Sequence, residues 1–435
     1  MANARQLMAS RTAISTAPAE MEMTANELLE IMCANSSDNK ASLYNDNIES
    51  VSPGLFWNAT SIASGNNNWL EEIVLPNCTS VAFRAFYRCS ALKRLILPAL
   101  TSCSYASSFQ YLSSIEELDI GNVVSTGTIS LTGANVNGFT IYIRDGYYSE
   151  ATTTASLLTI PSTVTGPVKI VFNGSKVGDK ILYGSTHQVD VEILDSVTSI
   201  GNYCFENCTG LTQMTIPNSV TSIGTRCFRG CTGLTSVTVP DSVISIGNLC
   251  FGGCTGLTSA GPIGGDYDYK FGWRNEIPPY AFYGCTGLTS VTLPESVTSL
   301  GISCFEGCTA RIDIYGPIRV ATQGSYTGDA FGSCEVHLHF DSIPSYAFIN
   351  VLSQFSVVLE EPVTSLGMYC FNGCTGLTSI TSRAIVPPMD KYGSNTFYDV
   401  DKSIPVYVPA GSVAAYKAAT GWSEFTNIQA IPETS

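Results

Sequence analysis

Charge is scarce in this chain, and positive charge scarcest. Of 435 residues 13% are Asp, Glu, Lys or Arg, against roughly 25% in an ordinary globular protein. With 21 Lys and Arg facing 36 Asp and Glu, the formal charge is −15. A surface this poor in cations lacks the sequence-independent grip on phosphates that nucleic-acid binding needs, so no nucleic-acid partner is expected. Long hydrophobic runs are missing too. Nothing approaches the eighteen or so apolar residues that span a bilayer, and no membrane insertion is expected. The opening residues carry Arg5 and Arg11 but no apolar core of a secretory signal, so the expectation is a chain made in the cytoplasm and not exported by the general route. There are 3 histidines, His187, His337 and His339. No Ser-His-Asp arrangement, phosphate-cradling glycine loop or Asp-rich calcium motif accompanies them, so neither an enzyme nor a cofactor is expected. Scarce charge beside a 44% hydrophobic share also excludes disorder.

What the chain has in quantity is itself. Cys204-Phe205, Cys227-Phe228 and Cys250-Phe251 recur every 23 residues, each followed by a second cysteine at Cys208, Cys231 and Cys254 and then by Thr-Gly-Leu. Read from Leu234 the unit is LTSVTVPDSVISIGNLCFGGCTG, and it returns at Leu288 as LTSVTLPESVTSLGISCFEGCTA. Leu234, Val237 and Val239 form an apolar run rich in β-branched residues that Pro240, unable to donate to a ladder, brings to a stop. Asp241-Ser242 supplies a turn, Val243 and Ile246 a second short extended piece, and Thr255-Gly256 a reversal. One such unit cannot enclose its own apolar side chains, whereas stacked copies bury them in a shared interior. The same frame runs upstream at Leu70–Cys89 and from Leu92, and blurs between about 121 and 190, where FTIYIR and VKIVF mark irregular β coils.

The LxxVTxPxSVTSIGxxCFxGCTG unit resembles the BspA-type leucine-rich repeat over about 70–125 and 191–400, and Val406–Trp422 resembles the C-terminal cap that closes such arrays. The resemblance implies a parallel β solenoid used for adhesion or other protein binding rather than catalysis. The expected architecture is a β-rich repeat solenoid with coils of about 23 residues, a short helical N-terminal segment and a C-terminal cap. Its divisions are 1–50, a helical cap or attachment segment; 51–190, divergent repeats and irregular β coils; 191–400, the regular array with two insertions; and 401–435, the C-terminal cap.

Cys-x3-Cys lies inside the range of zinc-ligand spacings. Other copies, however, place Ala85, Ala281, Ala330 and Ala347 at the first cysteine position and Leu112 at the second. A metal ligand does not survive such replacements; a small core residue does. Cys204, Cys208, Cys227, Cys231, Cys250, Cys254, Cys304, Cys308, Cys370 and Cys374 are therefore assigned to the core as reduced thiols. They share it with Phe205, Phe228, Phe251, Phe282, Phe305 and Phe371, and no metal is expected. His337 and His339 alternate on a strand beside Cys334, so CEVHLH can be read as a metal clip or, more plainly, as an outward-facing pair.

The period breaks between Cys254 and Cys285, where 31 residues replace 23, and the excess carries Tyr267, Tyr269, Phe271, Trp273 and Arg274. Insertions project from one face of a solenoid, and these residue types are enriched at interface hot spots. They are the candidate binding residues, the alternative being that they pack back to shield the edge. A second break runs from Tyr315 to Cys334. Thr24 to Glu27 fits a capping box ahead of a helix over about 25–34. The first fifteen or so residues resemble the openings of phage and prophage tail or fibre proteins. The expectation is a recognition protein for a protein or glycan partner, on a phage virion with the N-terminal segment as assembly contact. A bacterial surface adhesin and a β-solenoid glycan depolymerase are the alternatives.

Overall fold

The computed structural model describes residues 70–103, 106–122, 156–240, 242–260, 276–295, 297–320, 330–390 and 395–432, with shorter pieces between 41 and 56 and between 124 and 148. The N-terminal helix expected over 25–34 and the insertion carrying Tyr267 to Arg274 lie outside the described residues.

Alternating apolar residues in short β-branched runs give strands with one buried face. Ile141 and Ile143 point in while Thr140 and Tyr142 point out of Phe139–Ile143, and the same alternation holds in Val189–Ile193. Such strands stack in parallel, one per coil. A seven-stranded ladder runs from Ala41–Tyr44 through Leu70–Val74, Arg94–Ile96, Glu117–Asp119, Phe139–Ile143 and Val168–Phe172 to Val189–Ile193. A parallel bridge between Val189 and Leu211 carries it into a ten-stranded ladder that ends at Ile428–Ala430. Identical registers follow from the identical period: Gln213, Ser236 and Ser259 face one another in turn, as do Ser199, Ser222 and Ser245 in a smaller ladder. Where the frame blurs in the sequence the ladder persists. Phe139 pairs with Val168 and Val168 with Val189, so the coils there are 29 and 21 residues long and the strands keep register while the turns change length.

The interior is one column. Phe205, Phe228, Phe251, Phe282 and Phe305 stack with centroids 5.3–5.4 Å apart and planes within 8°, a spacing fixed by the roughly 4.8 Å between strands. Phe348, Phe371 and Phe397 continue the column. Each of these rings is buried, and at about 1.5–3 kcal/mol per buried large side chain the array gains stability only as coils accumulate.

Every described cysteine is buried and none forms a disulfide with another described residue. The second cysteine of each unit donates its S–H to the carbonyl of the coil before it: Cys231 to Phe205 O at 3.0 Å, Cys254 to Phe228 O at 3.0 Å, Cys285 to Phe251 O at 3.0 Å and Cys374 to Phe348 O at 2.8 Å. That bond needs a proton on sulfur, and burial keeps it there, pushing Cys374 up to about 12. The thiolate is the reactive species. A thiol reagent at pH 8 is therefore expected to label these cysteines at least about tenfold more slowly in the native chain than in urea, read residue by residue by peptide mapping; native labelling at the unfolded rate would overturn this assignment.

The C-terminal segment closes the column. Strand Val406–Val408 joins the ladder, and helix Val413–Ala418 sets Tyr416 edge-on against Trp422, which covers Phe397. Trp422 lies 5.2 Å from Phe397 and donates to Pro388 O at 3.1 Å, while Phe425 meets Phe397 edge-on at 5.1 Å. Tyr416 donates to Ala384 O at 2.8 Å. The open end is thus covered by aromatic surface whose polar atoms all have partners.

Candidate functional site

The turn that carries Cys-Phe also makes the most distinctive outer edge. The residue before the first cysteine position adopts positive φ in coil after coil: Tyr203 at 56°, Arg226 at 54°, Leu249 at 57°, Tyr280 at 59°, Tyr346 at 64° and Tyr369 at 55°. For an L-residue this costs about 1–2 kcal/mol. Coil-to-coil bonds hold it in place, Tyr203 N–H donating to Thr225 O at 2.9 Å and Arg226 N–H to Asn248 O at 2.9 Å. The consequence is a ladder of large side chains raised from the surface. Tyr280, Tyr283 and Tyr346 are exposed. Tyr346 stacks on Tyr369 at 5.4 Å and Tyr280 meets Tyr283 at 5.9 Å edge to face. Tyr203 sits between the cations of Lys180 and Arg226 at 5.7 and 5.8 Å. Farther up, Arg88 lies over both Tyr87 and Tyr111. Neighbours occupy many of the ring faces, and the Tyr346 hydroxyl donates to Met368 Sδ at 3.7 Å.

The hydroxyls of Thr221, Thr235 and Thr258 each donate, at 3.1 Å, to a threonine carbonyl one coil earlier. Their protons serve the stack.

A second constellation occupies the outer face of the ten-stranded ladder. In Cys334–Leu338 the inward residues are Cys334, Val336 and Leu338; Glu335 and His337 lie on the other face, followed by His339. Register brings Asp313 opposite His337 from the coil before, and Glu360 follows the strand Phe355–Leu359 of the coil after. His339 Nε2 lies 2.8 Å from Asp313 Oδ1, and the Tyr315 ring stacks on His339 at 4.4 Å. His337 Nδ1 lies 2.7 Å from Glu360 Oε1. Arg311 donates to both oxygens of Asp313 at 2.9 and 2.7 Å, and Arg383 pairs with Glu360 at 3.0 Å. Burial would raise the Asp313 carboxyl, but hydrogen bonds from Arg311 and His339 outweigh it and hold it below the usual carboxylate range. The sequence placed Cys334 with the histidines; the alternation of the strand turns it inward, and Asp313 stands in its place.

The binding residues expected from the sequence, Tyr267, Tyr269, Phe271, Trp273 and Arg274, lie outside the described residues. The tyrosine ladder has only a partial signal in the sequence: Tyr203, Tyr280, Tyr346 and Tyr369 each precede a Cys-Phe or Ala-Phe pair, while other copies place Arg, Leu, Ser or Asp there. Among the described residues no helix is long and apolar enough to cross a membrane.

A family model, the BspA type leucine-rich repeat region, matches residues 36–149, 60–177, 175–261, 275–402 and 341–428. Among solved structures, the chain is similar to a leucine-rich repeat protein from Bacteroides ovatus at 17% identity, covering 86% of this chain and 96% of that one with a TM-score of 0.40. It is also similar to a leucine-rich cell surface protein from Faecalibacterium prausnitzii at 17% identity, covering 80% and 91% with a TM-score of 0.24. The pneumococcal vaccine antigen PcpA is similar at 14% identity, covering 76% and 92% with a TM-score of 0.28. No curated protein matches.

Proposed function

Because the chain belongs to the BspA-type leucine-rich repeat family, we propose that it is a non-enzymatic recognition protein whose tyrosine ladder binds a protein partner. The observation that carries this reading is the positive-φ turn repeated from Tyr203 to Tyr369, which raises tyrosines and cations from an otherwise charge-poor surface. Tyrosines held by their neighbours lose little side-chain entropy on binding, which is why such residues anchor paratopes and hot spots. Rings whose faces are already covered by neighbours suit a protein surface better than the face of a sugar. Catalysis by paired carboxylates, as in a glycan depolymerase, needs acids free to act on a substrate. Here Glu206, Asp313 and Glu360 are each held by an arginine, Arg229, Arg311 and Arg383.

Probing arrays of extracellular proteins and of glycans with the purified chain tests the reading. Protein hits should weaken by more than about tenfold when Tyr280, Tyr283, Tyr346 and Tyr369 are all replaced by alanine. Unchanged affinity, or hits on glycans alone, would count against it. Deleting 261–275 asks separately whether the aromatic insertion adds to the same surface. Placement on a phage virion, with a bacterial surface as the alternative, is carried by the N-terminal residues alone; electron microscopy of particles and cells labelled against the chain decides between them.

A further inference from the structure

We propose that Asp313, His337 and His339 form a transition-metal site of the class that takes zinc. One ligand atom from each lies within 4.8 Å of the other two, the sole such grouping among the described residues. Two imidazoles with one carboxylate and an open position suit borderline divalent ions; calcium and magnesium prefer all-oxygen sets.

His337 is the strongest argument. Its side chain is on the outer face of the ladder yet 2% exposed, and Nε2 makes no hydrogen bond, with Glu335 Oε2 standing off at 3.3 Å. Leaving a buried polar atom unpaired is costly. At the other end of the ring, Nδ1 is 2.7 Å from Glu360 Oε1. A carboxylate there can only accept, so Nδ1 carries a proton and, in the neutral ring, Nε2 holds the lone pair. This is the carboxylate–histidine arrangement that orients metal ligands and raises their basicity. Arg383 fixes Glu360 from the far side, and the Tyr315 ring braces His339.

Zinc ligands lie about 2.0–2.2 Å from the ion, so the three donor atoms must draw closer than they stand here. Asp313 and His339 are partly exposed, and the hydrogen bond between them must give way to the ion. Asp313 must also release one oxygen from Arg311, whose side chain is 49% exposed and free to swing toward water. The site belongs to the regular outer face, so the open position of the ion would point away from the stack.

Titration of the full-length chain with cobalt(II) and zinc(II), followed by visible spectroscopy and calorimetry, tests the site. One cobalt per chain is expected, with the intense visible bands of a tetrahedral nitrogen and oxygen set, displaced by zinc. His339→Ala and Asp313→Asn, each checked for retained fold by circular dichroism, should abolish it. Glu360→Gln, acting through His337, should weaken it by roughly 10- to 100-fold. No binding below about 100 μM in the parent chain, binding that survives both ligand variants, or a thiolate charge-transfer band placing cobalt on cysteine would overturn the proposal.

Discussion

Replacing Phe251 with alanine should remove about 3–5 kcal/mol of stability, the cost of emptying a well-packed core site. The ring is fully buried and stacked on both sides, on Phe228 at 5.3 Å and on Phe282 at 5.4 Å. Its interplanar angles of 1° and 8° leave no slack for neighbours to collapse into the gap. Coils touch only the coils beside them, so the loss falls on two adjacent interfaces in the middle of the array. Urea unfolding should therefore lose its single midpoint and resolve into two transitions, one for each side of the vacancy. A shift below about 1 kcal/mol with one sharp transition would show that the phenylalanine column is not what couples the coils.

An alanine at Gly247 should be at least as damaging, for a different reason. A Cβ built there would lie 2.3 Å from Thr225 N, 2.5 Å from Gly224 C and 2.5 Å from Thr225 Cα, all backbone atoms of the previous coil. None of them can move without opening the ladder, and the Gly247 N–H bond to Ile223 O at 2.9 Å is the first to go. The same position meets the preceding backbone at Gly224, Gly301 and Gly367, so coil spacing itself demands glycine here. A loss above about 4 kcal/mol, or failure to accumulate folded protein, is expected for Gly247→Ala. Gly411→Ala is the control, since nothing lies within 4 Å of its Cβ. Its effect should stay within about 1 kcal/mol. Equal midpoints for the two variants would contradict the steric account.

The coil period, the phenylalanine positions and the C-terminal closure could all be read from the chain, because each depends on residues that recur at one spacing. The recognition features were harder for reasons visible at single residues. Tyr203 and Tyr369 stand in frames also filled by Arg226 and Leu249, so what unites the position is backbone conformation and not side-chain type. Asp313 is 24 positions from His337, and only the ladder register makes them neighbours. Cys334 adjoins the histidines in the chain but faces the opposite way. The hydroxyls of Thr221 and Thr235 read as available donors until the carbonyl one coil away is located.

The shared register has one last consequence. Ser199, Ser222 and Ser245 occupy equivalent places in successive rungs, so excising or duplicating a segment of 23 residues between matching points leaves every remaining rung beside a neighbour of the same shape. Recombination between the repeats of such a gene can lengthen or shorten the product in whole steps while the C-terminal end stays sealed. Reach thereby becomes a heritable variable, adjustable without redesign of the interior.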